Sequence, residues 1–209
     1  MSEGAAPPLL EFLEVMRRLR AECPWKAEQT HRSLARYLLE ETHETLEAID
    51  SGDDAHLREE LGDLLLQVYF HAVIAEERGA FTIDDVAGDI TAKMHRRNPH
   101  VFGHTGSNRP MTAAEVNEVW EQIKASEKQR DVVTDGLPDT LPALLYAAKV
   151  LERDPPTRQK VSDGSAGGGD LGDRLLALVA EAVEAGVDPE QALRDAVRGS
   201  LPGPGDVRR

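Results

Sequence analysis

The sequence predicts an all-α fold, an antiparallel bundle of amphipathic helices. Three observations predict it. Apolar residues recur at three- and four-residue spacings in one segment after another. No segment alternates apolar and polar residues with period two, and capping residues, prolines and glycines bracket the periodic stretches.

Residues 1–8 are small and Pro-rich and read as a frayed, disordered start. From Leu9 the period turns helical, through Leu10, Leu13, Met16 and Leu19, until Pro24 stops it. Cys23-Pro24-Trp25 opens a connection to about Ser33. A second helix follows over about Leu34 to Asp50, with Leu38, Leu39, Leu46 and Ile49 in register. The cluster Asp50-Ser51-Gly52-Asp53-Asp54 reads as a turn, with Asp54 as cap. The third helix, about Ala55 to Arg78, is the most apolar. Leu57, Leu61, Leu64, Leu65, Val68 and Ala72 are expected on its buried side, and Gly79 ends it. Thr82 and Asp85 form a capping-box pattern opening a helix over Ile83 to Arg97, which Asn98-Pro99 closes. Residues 98–111 read as loop. Thr112 and Glu115 repeat the box before a helix to about Arg130.

Residues 131–170 are expected to hold a helix and then, from 154, a flexible linker rich in Pro, Gly, Ser and Asp. A helix from Leu171 to Val183 ends at Gly186, and Asp188-Pro189 starts another to Arg198. Residues 199–209 read as a disordered tail. Leu171-Gly172-Asp173-Arg174-Leu175 echoes Leu61-Gly62-Asp63-Leu64-Leu65, so the chain divides into a helical domain over 9–130 and a degenerate second copy over 171–198.

Charge narrows the function. Against 38 Asp and Glu stand 24 Lys and Arg, a formal charge of -14 over 209 residues. A surface so acidic repels a phosphate backbone, which argues against nucleic-acid binding, and it suits a site that collects divalent cations. No apolar run reaches the roughly 18 residues of a membrane span, and no signal-peptide pattern opens the chain. The single cysteine, Cys23, leaves no internal disulfide and fits a reducing compartment, so a cytoplasmic protein is expected.

Glu40, Glu41 and Glu44 on the second helix, with Glu60 and Asp63 on the third, carry the most chemistry. At 100° per residue the first three share a wedge of roughly 100°, and the last two share a face. Glu44 and Glu60 lie about eight residues either side of Gly52, hence ~12 Å from the turn in an antiparallel hairpin, and Glu41 comes level with Asp63. Carboxylates so close need a neutralising charge, and hard oxygen ligands suit Mg²⁺ or Mn²⁺. Lys93, His95, Arg96 and Arg97, with His100, form the one dense basic cluster, placed to hold phosphate oxygens. Glu40-x-x-His43 also has the spacing of di-iron bundles, although Glu60-x-x-Asp63 does not complete that motif.

The pattern E-E-T-H-E at 40–44 followed by E-L-G-D at 60–63 resembles the ExxE…ExxD signature of the MazG-type all-α nucleoside triphosphate pyrophosphohydrolases. Cys23-Pro24-Trp25, Glu28-Gln29-Thr30-His31, Tyr37-Leu38-Leu39, Lys93-x-x-Arg96-Arg97, Asn98-Pro99-His100-Val101-Phe102 and Trp120-Glu121-x-x-Lys124 extend the likeness over about residues 9–153. The resemblance implies Mg²⁺-dependent hydrolysis of nucleoside triphosphates to monophosphate and pyrophosphate by dimerising helical bundles. By position it implies metal-associated roles for Glu40, Glu41, Glu44, Glu60 and Asp63, of which Glu41, Glu44, Glu60 and Asp63 are the foremost catalytic candidates. It also implies triphosphate contacts for Lys93, Arg96 and Arg97, and nucleotide-pocket roles for Trp25, Trp120 and Lys124. The chain departs from the family pattern at Lys26, where an acid is common, at His43, where an aromatic is frequent, and in a second copy without its ExxE helix. That copy keeps only Asp170 and Asp173, so packing or dimer contact is its expected use. The non-enzyme alternative is a dimerisation or regulatory module that retains an inactive acidic site.

Overall fold

Capping chemistry places the helix ends. The computed structural model describes residues 7–103, 111–127, 131–164 and 169–201, and among them every regular element is helical. Residues 1–6 of the start, 104–110 of the expected loop, 128–130 at the end of the helix expected to Arg130, 165–168 of the linker and 202–209 of the tail lie outside that range. Helix already holds Pro8 and still holds Ser200, so the start and tail expected over 1–8 and 199–209 do not reach that far. The chain divides into two compact units, Met1–Lys124 and Ala125–Arg209.

In the first unit α1 spans Pro8–Glu22, α2 Pro24–Glu28, α3 His31–Ser51, α4 Asp54–Glu77, α5 Ile83–Arg97 and α6 Pro99–Phe102, and α7, Ala113–Ser126, begins there. Two short helices thus occupy stretches that the sequence assigns to connections, each with proline at its first position, where the missing N–H costs nothing. α3 starts earlier than its apolar period because Thr30 and Ser33 form a capping box. Asp53, not Asp54, caps α4, its carboxylate accepting from Ala55 N at 2.8 Å and His56 N at 3.3 Å. The boxes expected at Thr82/Asp85 and Thr112/Glu115 both form.

The core of this unit joins Leu13 and Met16 of α1, Leu34 of α3, and Tyr69, Phe70, Val73 and Ile74 of α4. The buried side of α4 differs from expectation. Leu61 and Val68 are 50% and 39% exposed, while Gln67 and Tyr69–Phe70 are buried. The reason is packing: α1 and the start of α3 cover only the C-terminal half of α4, and the N-terminal half turns carboxylates toward α3. With Leu38, Leu39, Leu46 and Ile49 also exposed, α3 and α4 present an uncovered apolar band.

In the second unit α8 spans Ala143–Arg153, α9 Pro155–Ser162, α10 Leu171–Glu184 and α11 Pro189–Ser200. Its core gathers Ala148, Leu151, Val161, Val179 and Ala180. α9 stands inside the expected linker: Asp154 caps it, accepting from Thr157 N at 3.3 Å, and Pro155 and Pro156 open it. Asp-Pro-Pro-Thr is a helix start that the high proline count obscures.

Candidate active site

Gly52, at φ 69°, reverses the chain between α3 and α4, a conformation without steric cost only for glycine. The two helices then run antiparallel in close contact, and Glu41 comes level with Asp63 as counted from the turn. One oxygen each from Glu41, Glu60 and Asp63 lies within 4.8 Å of the others, all three residues being half-buried. Glu44 is exposed but close enough for its charge and a hydrogen bond to act on Glu41. Glu40 and His43 are exposed and stand outside the group. Of the five acids the sequence marks, the fold therefore brings three together, sets Glu44 beside them and leaves Glu40 out.

The electrostatics fit a cation. Burial pushes the Glu41 carboxyl above the usual carboxylate range, and the charges of Asp63, Glu44 and Glu60 push it further. A divalent ion would offset these effects by favouring the ionised carboxylates, and three carboxylates are a hard donor set of the kind Mg²⁺ and Mn²⁺ take. Two supporting residues were missed from sequence. His56 places Nε2 3.2 Å from Glu60 Oε1, an i,i+4 pair one turn before the acid. Buried Thr45 donates to the Glu41 carbonyl at 2.7 Å, tying its hydroxyl to the helix beneath the site.

The basic residues assemble elsewhere in this unit. Arg96 and Arg97 occupy the last turn of α5, with Lys93 half-buried one turn earlier. The Arg97 guanidinium lies 4.8 Å from the centre of the Trp120 ring, and Lys124 Nζ is 5.1 Å from the same ring. Lys124 also pairs with Glu121 at 2.9 Å. Arg97, Trp120 and Lys124 thus form one cation–aromatic group. Trp25 belongs to a different one: half-exposed, it meets Tyr37 edge-on at 6.1 Å. Lys26, the departure from the family pattern, lies over both Trp25 (5.5 Å) and Phe70 (5.1 Å), so it roofs the core.

Residues 29–102 match the MazG nucleotide pyrophosphohydrolase domain. An uncharacterised 26.1 kDa protein of Streptomyces cacaoi is 47% identical over 90% of this chain and 77% of its own length. The nucleoside triphosphate pyrophosphohydrolase/pyrophosphatase MazG of Thermotoga maritima is 38% identical over 90% of this chain and 80% of its own. The chain belongs to the MazG family. The nucleoside triphosphate pyrophosphohydrolase of Mycobacterium tuberculosis, 44% identical, is longer, and the chain spans 54% of it. The matched MazG span holds all five acids and the Lys93-x-x-Arg96-Arg97 motif, whereas Trp25, Trp120 and Lys124 fall outside it.

Proposed function

We propose that this chain is a metal-dependent nucleoside triphosphate pyrophosphohydrolase, a hydrolase that cleaves between the α- and β-phosphates to give monophosphate and pyrophosphate. One observation carries the reading: three half-buried carboxylates converge between α3 and α4 in a MazG chain. Relatives spanning 90% of the chain are named for this activity.

In this reading Glu41, Glu60 and Asp63 hold Mg²⁺, with Mn²⁺ able to substitute. When bound, the cation supplies Lewis-acid stabilisation of charge on the triphosphate. Glu44, at the edge of the group and outside the three converging carboxylates, takes a proton from the attacking water in this reading. Lys93, Arg96 and Arg97 bind phosphate oxygens, and Arg97 can do so while its flat face stays on Trp120. In the same reading Trp120 and Lys124 form a wall of the nucleotide pocket, and Trp25 is a candidate for another.

The working unit is a homodimer in this proposal, because the apolar band of Leu38, Leu39, Leu46, Ile49, Leu61 and Val68 is exposed in one chain. No helix among the described residues is long and apolar enough to cross a membrane. That and the lone Cys23 support a cytoplasmic setting, where clearing aberrant nucleotides is the proposed role. The domain division follows the same lines, with the catalytic part over 9–130 and the C-terminal copy serving packing or dimer contact.

The test incubates purified protein with canonical and modified nucleoside triphosphates, with Mg²⁺ or with EDTA, and quantifies every phosphate product. Equal monophosphate and pyrophosphate, dependent on Mg²⁺, is the expected result. Diphosphate with orthophosphate would reassign the cleaved bond. A folded protein that forms no product would make the chain a dimerisation or regulatory module.

A further inference from the structure

Two buried side-chain atoms among the described residues have no hydrogen-bond partner, Gln67 Oε1 and His71 Nε2. Gln67 is only 4% exposed and lies on α4, four residues after Asp63 and seven after Glu60. At 100° per residue it falls between those two acids around the helix. Their face is the one turned to α3, since their oxygens meet that of Glu41 within 4.8 Å. A helical Cα–Cβ bond tilts toward the N-terminus, so the Gln67 side chain leans back toward the turn that carries Asp63. Along α4 the residue thus stands between the turn that carries Asp63 and the buried Phe70 of the core.

That position explains why the oxygen is unpartnered. Ionised carboxylates only accept hydrogen bonds, so the acids above Gln67 cannot satisfy another acceptor. Donors arrive with a hydrated cation, because Mg²⁺ and similar ions bring water with them. A methionine of similar shape would remove the buried unsatisfied oxygen, so the fold alone has no use for the amide there. We propose that Gln67 is a positioning residue of the metal site. Its amide oxygen accepts from a water in the hydration shell of the cation held by Glu41, Glu60 and Asp63, and so fixes how that shell sits against the carboxylates. The proposal rests on reading the acidic group as a metal site.

The experiment titrates Mn²⁺ into nucleotide-free wild type, Asp63→Asn, Gln67→Met and Gln67→Leu, followed by electron paramagnetic resonance. Metal-free melting curves are recorded beside each titration. Gln67→Met is expected to melt at or above the wild-type temperature while its Mn²⁺ affinity falls roughly 10- to 100-fold, the size of effect that outer-shell partners produce. A Gln67→Met protein that binds Mn²⁺ like wild type, while Asp63→Asn does not, would overturn the role of Gln67 and leave the metal site standing. Lower melting in both Gln67 variants with unchanged affinity would overturn it too, placing the amide in the fold. Wild type that binds no Mn²⁺ would overturn the site and the proposal together.

Discussion

In α4 the triplet Leu61-Gly62-Asp63 lies well inside a helix that began at Asp54, while in α10 the matching Leu171-Gly172-Asp173 is the helix's first turn. That shift in helix start changes what the acids do. Glu60 and Asp63 have no free backbone N–H to serve, so their carboxylates reach across to Glu41. Asp170 is instead the N-cap, accepting from Asp173 N at 2.9 Å, and the Asp173 carboxylate accepts from Gly169 N at 3.0 Å. Their charge is spent on orphan amides and on the helix dipole. The helices facing α10 reinforce the difference, since α8 and α9 give it Ala148, Leu151 and Val161 where α3 gives α4 a glutamate. A repeated motif keeps its chemistry only if the helix start and the opposing helix are repeated with it.

The largest expected effect separates the two aspartates. Asp63→Asn should lower metal-dependent turnover by roughly 10²- to 10³-fold, several kcal/mol of lost stabilisation, with helicity unchanged by circular dichroism. Asp173→Asn should leave turnover within about twofold. Equal losses in both would break the comparison, because the C-terminal acids would then be working in the reaction.

The two cores offer the next test. Leu151, 1% exposed, anchors the second unit, and Leu151→Ala should cost about 2–5 kcal/mol there. Hydrogen exchange should speed up across α8–α11 while the amides of α3 and α4 keep their protection.

Between pH 7 and 5 histidine protonation should act on the first unit, because all seven histidines precede residue 105. Arg78 donates to His31 Nε2 at 2.9 Å, so His31 carries its proton on Nδ1 and donates to His71 Nδ1 at 2.7 Å. Burial, and then the neighbouring His31, hold the His71 pKa below its ordinary value. As pH falls below about 6.5 the unfolded chain takes up a proton that folded His71 refuses. Stability should therefore drop with falling pH, by at most about 1.4 kcal/mol per pH unit, until the depressed folded pKa is reached. His71→Gln should flatten that slope in melting curves between pH 7 and 5. A slope unchanged by the substitution would assign the acid sensitivity to other groups.

The smallest effect belongs to the cap. Asp170→Ala should cost about 1 kcal/mol in the second unit, read as earlier melting of α10, with Mn²⁺ binding by the first unit unaffected. Weakened Mn²⁺ binding would mean that the remnant acids still serve a metal site.

Much of this was legible in the chain. The capping boxes at Thr82/Asp85 and Thr112/Glu115, the end of α5 at Arg97 and the turn at Gly52 are local events, set by residues within a few positions of one another. α2 and α9 were missed because proline marks both a stop and a first helical position, and composition alone does not tell them apart. The match in height between Glu41 and Asp63 could be counted from Gly52, since the rise per residue is constant.

By itself the sequence determined the helical class, the hairpin register and the set of five acids, all of which follow from period, caps and the 1.5 Å rise of a helix. Only the tertiary structure decided that Glu41, Glu60 and Asp63 converge while Glu40 faces solvent, that Gln67 is buried and Leu61 is not, and that Asp170 became a cap. Those outcomes depend on how each helix is rotated about its axis and on what lies opposite. On a helix rich in leucine all round, the local sequence does not fix that rotation; the packing partners do.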